Sequence, residues 1–65
     1  MPRSKFILFV SQYPLEKNSH VDENGHVTAR IKAFGYKNKL FRVVEVQEIK
    51  ENGEVAYIYY GVPVG

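Results

Sequence analysis

Between Arg30 and Arg42 the chain interleaves cations with aromatic rings: Arg30, Lys32, Phe34, Tyr36, Lys37, Lys39, Phe41 and Arg42. No acidic residue occurs from position 24 to position 44. Cations neutralise phosphates and aromatic faces accept stacked bases, so this mixture is the chemistry of nucleic-acid binding by a β surface. On an extended strand, alternation sets Arg30, Lys32, Phe34 and Tyr36 on one face, leading into a basic turn at Lys37 and Lys39. The same pattern also suits a solvated strand whose cations lie over aromatic stems.

Two other groups have chemical potential. Tyr57 and Tyr59, sharing a face with Glu45 and Gln47, would offer large contact area at low entropic cost, as protein interfaces do. His20, Asp22 and His26 surround a turn and have the donor types of a divalent-metal site. A hairpin tip is a poor frame for a metal, and the three read better as a solvated turn. Ser4, Ser11 and Ser19 lack a nucleophile context, and no glycine-rich phosphate loop appears. The chain is therefore expected to be neither an enzyme nor a cofactor carrier.

The elements that position these residues are read from turn chemistry. Glu-Asn-Gly occurs twice, at Glu23-Asn24-Gly25 and Glu51-Asn52-Gly53, each between segments rich in β-branched and aromatic residues. Asn-Gly tolerates the positive φ of tight reversals, so both copies predict hairpins. Strands are expected at Lys5–Tyr13, Val27–Tyr36, Leu40–Ile49 and Val55–Val62, with a short fifth at residues 18–22. Three-residue loops match Lys50 with Glu54, Ile49 with Val55, Val46 with Ile58 and Val44 with Tyr60, which pairs charge with charge and apolar with apolar. In the first turn the same geometry sets Val21 against Val27. The resulting core face is Val44, Val46, Ala56, Ile58, Tyr60 and Val62. Glu45, Gln47, Tyr57 and Tyr59 fall on the opposite face with Val43, Ile49 and Val55.

Length and composition bound the rest. Sixty-five residues form one domain, with tails expected to fray at 1–4 and 63–65. So short a chain buries only about 60% of its unfolded surface, and with no cysteine it has no disulfide to compensate. Self-association into a homodimer is the expected remedy. The lack of cysteine suits a reducing, cytoplasmic setting, and no apolar run reaches the roughly 18 residues of a membrane span. Net charge is only +2, yet the basic segment 24–44 is followed by Glu45, Glu48, Glu51 and Glu54 against Lys50 alone. The expected fold is all-β: an antiparallel meander of four to five strands forming a small SH3-like or OB-like barrel, or a dimerising sheet. Its expected function is a non-catalytic binding module, contacting nucleic acid through residues 30–42 or, alternatively, a protein through the Tyr57/Tyr59 face.

Overall fold

The computed structural model describes residues 4–64. Its four strands are β1 (Phe6–Ser11), β2 (His26–Ala29), β3 (Lys39–Glu51) and β4 (Glu54–Pro63). They form one antiparallel sheet in the order β1-β4-β3-β2. β2, β3 and β4 are the meander; β1 joins the free side of β4, which gives a Greek-key order read from the C-terminus. The expected fifth strand at 18–22 is instead a string of turns, and the connection from β1 to β2 carries a single 3-10 turn at Leu15–Lys17. Among the described residues no helix is long and apolar enough to cross a membrane.

The two Asn-Gly turns differ. At the first, the Gly25 N–H donates to the Asp22 carbonyl at 3.0 Å and the Asp22 N–H donates to the His26 carbonyl at 2.9 Å. Gly25 takes φ 79°, so this is the expected three-residue loop, a type I turn closed by a left-handed glycine. The second turn has two residues, with Asn52 at φ 52° and Gly53 at φ 79°, as a type I′ hairpin requires. Here the pairing is Lys50 with Val55, Ile49 with Ala56, Gln47 with Ile58 and Val46 with Tyr59. That register overturns the three-residue loop expected at Glu51-Asn52-Gly53. A shift of one residue turns a whole strand over: Tyr57 and Tyr59 face the core, while Ile58 and Tyr60 face out.

A β-bulge at Val44 then moves the register by one, so Val43 faces Gly61 and Arg42 faces Val62. A second bulge lies in β1, where Ile7 pairs with Tyr60 but Phe9 pairs with Tyr59. Both extra residues flank the same stretch of β4. Bulges bend and twist the strands that carry them, and here they curl the sheet into a half-barrel. The concave side holds the core cluster Leu8, Val27, Ala29, Phe41 and Tyr59, drawn from all four strands. Of the expected core, Val46 packs against this cluster and Val62 is buried apart from it, but Val44 is exposed and Ala56, Ile58 and Tyr60 are only half-buried. Pro63 ends β4 and the Val64 N–H donates to the Leu40 carbonyl at 3.0 Å. The C-terminal segment is thus tied down where fraying was expected; residues 1–3 and 65 lie outside the described residues.

Gly61, paired with Phe6 on one side and Val43 on the other, has no room for a side chain. A Cβ there would lie 2.7 Å from the Arg42 carbonyl oxygen and 2.7 Å from Leu8 Cδ1. Leu8 occupies the space that the glycine leaves. Backbone cannot yield as a flexible side chain can, so Gly61→Ala is expected to destabilise the fold by about 1–3 kcal/mol, the usual range for overpacking. Urea unfolding of the two proteins measures it, and equal midpoints would refute the close approach.

Candidate functional site

The segment expected to run as one strand from Val27 to Tyr36 breaks after Ala29. Lys32–Phe34 forms a 3-10 turn, with Gly35 at φ 67° and Tyr36 at φ 57° both left-handed. The turn is closed by the Phe34 N–H on the Ile31 carbonyl (3.1 Å) and the Tyr36 N–H on the same carbonyl (2.9 Å). Arg30 Nε adds a bond to the Tyr36 carbonyl at 3.0 Å. The alternation that would set Arg30, Lys32, Phe34 and Tyr36 on one face is therefore absent; they form a compact loop between β2 and β3.

Burial of Phe34 explains the break. Its ring meets Phe6 edge-on at a centroid distance of 5.3 Å and Phe41 at 5.7 Å. It closes one end of the half-barrel, and Lys39 Nζ lies over it at 5.0 Å. Phe34 is thus a core-edge residue, and no stacking platform remains at this position. Tyr36 does face water, with 59% of its surface exposed. Arg30, Lys32 and Lys37 are exposed with it, and the only ion pairs among the described residues are Lys5–Glu45 and Lys50–Glu48. A shallow cleft of about 230 Å³ borders the loop at Phe34, Lys37, Asn38 and Lys39. Arg42 is separated from this group. It pairs with His26 across β2 and with Val62 across β4, on the convex side of the sheet.

The tyrosine face also changes. Tyr59 is completely buried, stacked on Phe9 at 4.8 Å, and its hydroxyl donates to the Tyr13 carbonyl at 2.6 Å. It cannot meet a partner. Tyr57 is half-buried beside Glu48. Loss of surrounding water, with the carboxylates of Glu48 and Glu16 nearby, raises its pKa above the usual 10.0. Glu45 and Gln47 share no face with either ring. They lie with Tyr60 on the convex side, where the Tyr60 hydroxyl donates to Gln47 Oε1 at 2.9 Å and Lys5, paired with Glu45, sits over the Tyr60 ring. What separates the two arrangements is the choice between a two-residue and a three-residue turn at Asn52-Gly53.

His20, Asp22 and His26 are not gathered into a ligand set, and no group of three such donors occurs among the described residues. One oxygen of Asp22 instead accepts the backbone N–H groups of Asn24 (2.9 Å) and His26 (2.8 Å), which holds the first turn. Comparison with protein families, with curated proteins and with solved structures finds no match to this chain.

Two outcomes test this geometry. Tyr59→Phe removes the bond to Tyr13 and keeps the ring, and should lower stability by about 1 kcal/mol in a thermal melt. The raised Tyr57 pKa means that the folded chain holds this proton more tightly than the unfolded chain does. The stability it contributes is complete below the unfolded value and falls away as pH rises through the folded one. Alkaline unfolding followed above about pH 10 should accordingly be less steep in Tyr57→Phe.

Proposed function

We propose that the protein is a non-catalytic binding module that contacts nucleic acid through the loop between β2 and β3. Arg30, Lys32, Lys37 and Lys39 meet phosphates, and Tyr36 is the ring on which an unpaired base stacks. The observation that carries this reading is Tyr36 itself. It is a large aromatic residue held outward at 59% exposure on left-handed backbone, a conformation that costs a non-glycine residue about 1–2 kcal/mol. Backbone strain of this kind concentrates at functional positions. Around it are cations with no acidic residue in the same stretch of chain, which is the electrostatic requirement for a polyanion. Phe34 supports the loop from below, and Arg42 lies outside the contact.

A protein partner at Tyr57 and Tyr59 is a weaker reading, because Tyr59 offers no surface and Tyr57 little.

The test is titration of the protein with single- and double-stranded DNA and RNA oligonucleotides at low salt, followed by amide shifts. Shifts should centre on residues 30–39, and affinity for single strands should fall with a log–log salt slope of about −2 to −3, as three or four phosphate contacts dictate. Tyr36→Gly relieves the left-handed strain, so it should leave stability equal or higher while weakening binding by about 1–3 kcal/mol of lost stacking. Absence of shifts with every oligonucleotide would end this proposal.

A further inference from the structure

The curl of the sheet brings its two edge strands together without joining them. β1 and β2 lie at opposite ends of the strand order, yet Leu8 and Val27 share one core. Between the two edges runs an open cleft of about 360 Å³. It is lined by Phe9, Val10 and Ser11 from β1, Val27 and Thr28 from β2, and His20 from the connection.

Which backbone groups face this cleft follows from the two hairpins. The Val43 N–H donates to the Gly25 carbonyl, so His26 and Arg42 are a non-hydrogen-bonded pair. Val27 and Ala29 therefore turn their backbone groups towards β3, and Thr28 between them turns its N–H and C=O outward. At the second turn, a two-residue loop closes on a hydrogen-bonded pair, Glu51 and Glu54. Alternation from there points Ile58 at β3, and Tyr57 and Tyr59 at β1. Val10, opposite Ile58, consequently also presents its N–H and C=O away from the sheet. Val10 and Thr28 are thus free edge positions on the two walls of one cleft, and neither has a backbone partner among the described residues.

Donors and acceptors set at strand spacing are matched by another extended backbone, and an added strand is how such edges take partners. The β2 edge is regular while β1 is interrupted by its bulge at Leu8, so β2 is the template. A strand antiparallel to β2 exchanges two bonds with Thr28. Its residues on either side of that position point into the cleft, beside the apolar Val27 and Phe9. Its residue opposite Arg30 lies next to an exposed guanidinium, where an acid is the complement. A second copy of this chain lacks that acid: β2 pairing with itself about Thr28 sets the Arg30 of each copy against the other's His26, and β1 carries no acidic residue.

We propose that the seam between β1 and β2 takes, as a fifth strand antiparallel to β2, an extended segment of a partner protein with the pattern acidic–apolar–any–apolar. The acid meets Arg30, the two apolar side chains fill the cleft, and the residue between them pairs with Thr28. This site is separate from the Tyr36 ring and shares only Arg30 with the loop that carries it.

The probe is the capped peptide acetyl-Glu-Val-Thr-Val-amide, titrated to about 5 mM to cover millimolar binding and followed by amide shifts. Shifts should centre on residues 9–11 and 27–30, and the Thr28 amide should become protected from hydrogen exchange. The same peptide N-methylated at its threonine lacks the N–H that meets the Thr28 carbonyl, and should bind about tenfold more weakly or worse. Thr28→Pro removes only an outward N–H, which an edge strand tolerates. It should keep the β-sheet circular dichroism spectrum and lose the peptide shifts. Absence of shifts at these residues, or equal binding of the two peptides, would overturn the proposal. So would a Thr28 amide already protected without peptide as protein concentration rises, since that gives the edge to a second copy.

Discussion

The placement of Tyr59 governs this fold. Its ring is sealed between Phe9 and Val46 in the concave face, and its hydroxyl holds the Tyr13 carbonyl at the start of the long connection. Full burial of such a side chain contributes about 1.5–3 kcal/mol. Pairing Lys50 with Glu54 and Ile49 with Val55 would gain only a few tenths to about 1 kcal/mol each. Burial of the ring outweighs the pairings. The hairpin therefore adopts the two-residue turn that sends Tyr59 inward, and it tolerates Glu51 opposite Glu54 at a solvated tip where like charges are screened.

Once Tyr59 is inside, the strands beside β4 must bend around it. The bulges at Leu8 and Val44 supply the bend, and Gly61 leaves the space that Leu8 enters. The curl brings β1 and β2, at opposite edges of the sheet, into one core. It also gives Phe34 a place between Phe6 and Phe41. That pull shortens β2 to four residues and converts the following basic segment into a loop. The surfaces available for binding are in this sense by-products of core packing. A cationic loop with one outward tyrosine sits at one end, and the convex side mixes Ile7, Val10 and Ile58 with Glu45, Gln47 and Tyr60.

Several elements are legible without coordinates. Asp22-Glu23-Asn24-Gly25 declares its three-residue loop because every requirement is local: an aspartate to accept backbone N–H groups and a glycine for positive φ. The all-β class and the four strand regions follow from the Val, Ile, Phe and Tyr runs between turn signals. Glu51-Asn52-Gly53 misleads because its two possible turns differ in a property that local pairs do not report, namely which face of β4 the core needs. The three-residue register does describe the far half of the hairpin, where Val43 meets Gly61. A bulge separates the two halves, and Val44 has no local signal that marks it. Alternation from Val27 to Tyr36 fails for a similar reason: Phe34-Gly35 contains the reversal, but nothing nearby reveals that Phe6 and Phe41 await the ring.

By itself, the sequence determined the class, the turn positions and the charge polarity, since these depend on residue type and near neighbours: Asn-Gly permits positive φ, β-branched residues favour the pleat, and the acids and bases occupy separate stretches. Tertiary structure decided which aromatic rings face water. Burial is a competition among all the rings for one small concave space, and Tyr59, Phe41 and Phe34 occupy it together with Phe6 and Phe9. Tyr13 and Tyr36 are left exposed, so the choice of exposed rings depends on residues as far apart in the chain as Leu8 and Gly61.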